Sequence, residues 1–87
     1  MTSPVLDTAE TPTITRTVDA RGSYCPGPLM ELIRAIRESE VGTVIAVRSS
    51  DRGSRVDIPK WIEKAGHRLV GINEADGYDE IVVEKLH

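Results

Sequence analysis

Cys25 is the only cysteine in the sequence, and Pro26, Gly27 and Pro28 follow it directly. The whole stretch reads Asp19-Ala20-Arg21-Gly22-Ser23-Tyr24-Cys25-Pro26-Gly27-Pro28. A thiolate, not a thiol, is the sulfur nucleophile, and a helix N-terminus favours it through unpaired N–H groups and the positive end of the helix dipole. If Cys25 is the N-cap, Pro26 falls at the first helical position and Pro28 at the third. Proline is tolerated there because those N–H groups have no helical partner, and its fixed φ stiffens the start. The N–H groups of Gly27 and Leu29 would remain to face the sulfur. Gly22 and Gly27 carry no side chain that could shield it. The expected chemistry is attack by a reachable thiolate on an electrophilic sulfur. The competing reading of a lone cysteine is an inert buried residue.

A helix must present that thiol. Leu29, Leu32, Ile33 and Ile36 recur at i, i+3, i+4 and i+7, which predicts an amphipathic helix from Pro26 to about Glu40, with Gly42 as its stop. Thr13 to Asp19 reads as a strand, and Ala20 to Tyr24 as a turn around Gly22. Thr43 to Ser49 holds the run Val44-Ile45-Ala46-Val47, suited to a central strand. Asp57 is expected to cap a second helix with Pro59 in its first turn, Ile58, Trp61, Ile62 and Ala65 as its apolar stripe, and Gly66 closing it. Arg68 to Asn73 and Glu80 to Lys85 read as strands of an antiparallel hairpin.

The order strand, helix, strand, helix, strand, strand, with one apolar stripe per helix, predicts an α+β fold. It is a two-layer sandwich: a four-stranded mixed sheet with both helices on one face. The first two strands should be parallel. Their carboxyl ends then bring Cys25 to the edge that carries Ser49 to Arg52 and the start of the second helix, the edge favoured by sites in open α/β sheets. Arg21, Arg52 and Lys60 are expected around Cys25, either as partner-binding residues or as plain surface charges. Asp19 reads as a support for the motif or as a strand-end residue bonding local backbone.

Composition narrows the function. The 87 residues suit one domain, Thr13 to His87, preceded by Met1 to Pro12 as a disordered tail. One cysteine and two histidines exclude a Cys₄ or Cys₂His₂ zinc site and an internal disulfide. No metal or cofactor is expected. The net charge of −3 and only three aromatic residues argue against a nucleic-acid binder. Basic residues outnumber acidic ones between Arg16 and Arg68, and acids dominate from Glu74 to Glu84. That pattern is either a basic patch for an acidic partner or mixed solvated charge. No segment is apolar and long enough for a membrane span, and no signal peptide is evident. The cytoplasm is therefore expected, where a lone thiol stays reduced. A hydrolase would need a base beside its nucleophile. His67 and His87, distant from Cys25 in sequence, are expected to be structural or solvated.

The stretch Asp19-Ala20-Arg21-Gly22, followed by Cys25-Pro26-Gly27-Pro28-Leu29-Met30, resembles the Cys-Pro-X-Pro signature of TusA/SirA-like proteins. Ser50-Asp51, Asp57-Ile58-Pro59 and Gly66-His67 sit where that pattern has similar residues, so the resemblance spans Thr13 to Lys85. It implies a β-α-β-α-β-β two-layer fold, Cys25 as a persulfide carrier, and Pro26 and Pro28 as the residues that shape its helix start. It also implies sulfur-donor and sulfur-acceptor partners: cysteine desulfurases, rhodaneses, DsrE-like sulfurtransferases or heterodisulfide-reductase-like complexes. These serve sulfur metabolism, tRNA thiolation or cofactor thiolation. No cofactor is implied beyond sulfane sulfur bound covalently to Cys25. The sequence departs from the pattern at Ser23, Tyr24 and Arg52-Gly53, in loops expected to dock partners. The alternative function is a non-catalytic regulatory or protein-interaction module of the same fold.

Overall fold

The computed structural model describes residues 13–24 and 26–87. The expected tail, Met1 to Pro12, and Cys25 itself lie outside the described residues. The elements are β1 (Arg16–Asp19), α1 (Gly27–Glu38), β2 (Val44–Ser49), α2 (Ser54–Ala65), β3 (Arg68–Ala75) and β4 (Tyr78–Glu84). They form one four-stranded sheet in the order β1-β2-β4-β3. β1 and β2 are parallel, while β4 pairs antiparallel with both β2 and β3. The predicted α+β class, the parallel first pair and the hairpin are all present.

The strand order, which sequence could not supply, puts β2 and β4 in the centre. Both bury residues on both faces. Ile45 and Val47 pair with Val83 and Ile81, and all four are closed to solvent in the main core. Leu32, Ala35 and Ile36 of α1 and Ile58 and Ile62 of α2 complete that core, so both helices cover one face. Val44, Ala46 and Val82 form a smaller buried cluster on the opposite face.

The buried stripe of α1 is rotated slightly from the predicted one. Pro28, Leu32, Ala35 and Ile36 are buried, whereas Leu29 and Ile33 are only half-buried. α2 begins three residues before Asp57, because Asp51 organises its start. The Asp51 carboxylate accepts from the Ser54 N–H at 3.1 Å and from the Ser54 hydroxyl at 3.0 Å. Gly53 is the N-cap, Asp57 lies in the first turn, and Pro59 sits inside the helix. Pro59 lacks the N–H that would bond the Arg55 carbonyl, a local cost that the buried neighbours Ile58 and Ile62 outweigh.

β3 runs two residues beyond the predicted Asn73, and β4 starts two residues before Glu80. Ala75 pairs with Tyr78, which leaves Asp76-Gly77 as the turn. Gly77 has φ +86°, the left-handed conformation that such tight hairpin turns require.

Candidate functional site at the sheet edge

The parallel pair ends at Asp19 and Ser49, and the antiparallel register sets Ser49 opposite Asp79. The carboxyl ends of β1 and β2 and the start of β4 therefore share one edge. The turn from Ala20 to Tyr24 rises from it. Gly22 takes φ +89° there, which a side chain would strain. Its N–H donates to the Ser50 hydroxyl at 3.0 Å, and the Ser23 N–H donates to the Ala20 carbonyl at 3.1 Å. Gly27 has a steric role: a Cβ there would press to 3.2 Å from the Ser23 Cβ.

The helix start differs from expectation by one residue. Pro26, not Cys25, is the N-cap, and Pro28 is the second helical residue. Pro26 is exposed while Pro28 is fully buried, so the second proline anchors the start of α1 to the core. The Gly27 N–H is taken up by the Tyr24 carbonyl at 2.7 Å, and the Met30 N–H bonds the Pro26 carbonyl at 2.9 Å. The Gly27 N–H is thus engaged within the turn, and the helix dipole is what this end of α1 offers to an anion. Tyr24 and Pro26, on either side of Cys25 in the chain, are exposed. Tyr24 is 81% exposed and Met30 59% exposed.

Asp19 and Arg21 form one unit. The Arg21 Nε and Nη2 donate to the two Asp19 carboxylate oxygens at 2.8 and 2.9 Å, and the Arg21 backbone N–H adds a third bond at 3.2 Å. These bonds, the guanidinium first, lower the Asp19 pKa from 3.8 to about 2. Arg21 also lies over the Tyr78 ring at 5.0 Å, and Arg48 lies 5.7 Å from the same ring. Arg48 in turn pairs with Glu80 at 3.3 Å. The expected cation at Arg21 is therefore engaged within the chain.

A carboxylate held below its unfolded value contributes to stability above that value and loses the contribution as pH falls through the folded one. The Asp19–Arg21 link is thus fully present above roughly pH 4 and is lost as pH falls through about 2. An NMR titration of the Asp19 carboxyl is expected to show a midpoint near the lower value. In Arg21→Met it should return toward 3.8.

Arg52 lies in the loop between β2 and α2 and lines an open groove with Ser49, Ser50, Arg55 and Tyr78. The bond from Gly22 to Ser50 sets that loop beside the motif turn. Lys60 lines a separate groove with Glu63, His67 and Leu69, on the flank of α2 that faces β3. The structure thus gathers Asp19, Arg21, Gly22 and Arg52 at one edge and sets Lys60 against β3.

Sequence reasoning missed Tyr78 and Arg48. The Asp76-Gly77 turn signal could have marked Tyr78 as the first residue of β4. Its meeting with Arg21 depends on β4 lying next to β2.

The family described as Sulfurtransferase TusA matches residues 16–85. An Archaeoglobus fulgidus protein bearing the name "Putative sulfur carrier protein" is 58% identical over 69 residues, which cover 79% of this chain and 94% of that protein. Sulfur carrier protein TusA of Pseudomonas entomophila is 43% identical over 61 residues, covering 70% of this chain and 76% of that protein. The crystal structure of a SirA-like protein from Desulfitobacterium hafniense superposes with a TM-score of 0.74 at 29% identity, over 84% of this chain and all of that one. A match that runs from the first strand to the residue after the last, joined to the same fold, makes this chain a member of the TusA/SirA-like family.

Proposed function

We propose that this protein carries sulfane sulfur on Cys25 as a persulfide and hands it to partner proteins. The observation that carries the reading is the sole cysteine, set in Cys-Pro-Gly-Pro where α1 begins, in a chain of a family whose relatives are named as sulfur carriers. The exposure of Tyr24, Pro26 and Met30 supports access for a visiting protein.

In loading, the Cys25 thiolate attacks the terminal sulfur of a donor persulfide. A new S–S bond forms at Cys25, the donor S–S bond breaks, and the donor leaves as a thiolate. No net oxidation or reduction occurs. Thiosulfate serves in the same way, with sulfite as the leaving group. Delivery is the reverse kind of step, in which an acceptor thiolate attacks the outer sulfur. With no second cysteine, no disulfide within the chain can discharge the sulfur. Release therefore goes to another protein or a small thiol. Cysteine desulfurases and rhodaneses suit the donor role. DsrE-like or heterodisulfide-reductase-like proteins suit the acceptor role in sulfur metabolism, and tRNA or cofactor thiolation is the other destination.

Incubation with thiosulfate, tetrathionate or a sulfur-loaded rhodanese, followed by intact-mass analysis, tests the reading. A sulfur-sized or thiosulfonate-sized addition is expected, removed by dithiothreitol and absent in Cys25→Ser. No adduct from any of the donors would defeat it. Full biological activity of Cys25→Ser would favour a non-catalytic interaction module instead.

A further inference from the structure

We infer that Tyr78 is a positioning residue for the turn that leads into Cys25, acting through Arg21. This deepens the reading of Cys25 as the sulfur-carrying residue and rests on it. The observation behind it is a chain of contacts that ties the motif turn to β4, far away in sequence. Asp19 and Arg48 are partners across β1 and β2, and Arg48 and Glu80 are partners across β2 and β4. Tyr78 lies two residues before Glu80, so its side chain leaves the same sheet face. Arg48, held by Glu80, stands on one side of that residue row, and Arg21, held by Asp19, reaches the same ring.

Among the described residues the turn is also held at its first residue, Ala20, which is buried in the main core. The described hydrogen bonds within it and from it are those of Ala20 to the Arg48 carbonyl, Arg21 to Asp19, Gly22 to Ser50, Ser23 to Ala20 and Gly27 to Tyr24. Gly22 adds backbone freedom rather than stiffness. A guanidinium over an aromatic face in a partly exposed setting adds a side-chain tie to these bonds, and it is the one that reaches the middle of the turn from β4. The half-buried ring of Tyr78 supplies that face from a strand that is itself locked between β2 and β3. The electrostatics at the start of α1 act on a thiol only if the preceding turn holds it there.

The test compares Tyr78→Phe, which keeps the ring face, with Tyr78→Leu, which removes it. Amide hydrogen exchange is read at Gly22, Ser23 and Gly27, with Ile45 and Val83 as core references. Tyr78→Leu should speed exchange at the three turn amides by about two- to fivefold, the factor equivalent to an exposed cation–π contact. The core amides should keep their rates, and Tyr78→Phe should match the wild type. In the same variants, the pH midpoint of Cys25 alkylation by iodoacetamide should move up toward the free-cysteine value of about 8.5 in Tyr78→Leu only.

A turn that loosens while the midpoint stays put would make Tyr78 merely structural and overturn the positioning role. So would identical behaviour of the Phe and Leu variants, or unchanged exchange in Tyr78→Leu. Failure of sulfur loading in the wild type is a separate result. It would sink the carrier reading while leaving the exchange data to decide how the turn is held.

Discussion

Ile81→Ala is expected to remove about 2–5 kcal/mol of stability, the range for truncating a fully buried isoleucine that leaves a cavity behind. Ile81 is closed to solvent in the middle of β4, paired with Val47 on one side and Ile72 on the other. Its side chain belongs to the cluster that both helices share. With a paired strand on either side and both helices packed over it, the site has little freedom to collapse, which favours the upper part of the range. Domains of this size have only about 5–15 kcal/mol in hand, so the loss is a large fraction of the total stability. Urea denaturation should show a lower midpoint at unchanged slope, the sign of lost stability rather than an altered unfolded state. Ile81→Val should cost only about 0.5–1.5 kcal/mol. Ile33→Ala, on the half-buried flank of α1, should fall well short of Ile81→Ala. Equal losses for Ile33→Ala and Ile81→Ala would contradict the rotation of the α1 stripe seen in the fold.

That rotation shows where sequence reading stopped. Spacing alone placed Leu29, Leu32, Ile33 and Ile36 on one face. Which edge of a stripe is buried depends on how the helix lies across the sheet, and that follows from tertiary packing. The fold class and the parallel pair were legible because they depend on local periodicity and on connection rules. The start of α2 was misread because Asp57 before Pro59 looks like a helix opening. The stronger signal was Asp51 three residues before Ser54, a carboxylate able to satisfy that residue's N–H. At the motif, proline chemistry pointed to the correct helix but to a start one residue too early, since an N-cap is defined by backbone angles that either Cys25 or Pro26 could adopt. The Asp19–Arg21–Tyr78 arrangement was out of reach. It requires β4 beside β2, and pairing order is a long-range choice that leaves no local trace.

The edge opposite the motif holds α1 in place, and Lys85 is the residue that should matter most there. A helix leaves its last carbonyls unpaired and carries partial negative charge at its end. The Lys85 ammonium donates to the carbonyls of Ile36 at 2.7 Å and Ser39 at 2.6 Å. Arg16 adds longer bonds to the Ala35 carbonyl at 3.4 Å and the Ser39 hydroxyl at 3.3 Å. Neither residue was singled out from the sequence, because each lies on a strand or just after one, remote in the chain from the helix it caps.

Hydrogen bonds from a charged donor contribute about 1.5–3 kcal/mol each way they are counted. Lys85→Met keeps most of the aliphatic stem and removes the ammonium. It should therefore cost roughly that amount, and lower the melting temperature by about 4–8 °C per kcal/mol. Arg16→Met should cost less, since its bonds to the helix end are longer. Amide exchange should rise first at Ser39, whose N–H bonds the Ile36 carbonyl that Lys85 also holds. Sulfur loading at the far end of α1 should be unaffected at temperatures where the variant stays folded. A Lys85→Met protein that melts with the wild type would mean that water serves those carbonyls equally well, and that the capping contact contributes nothing to holding the helix.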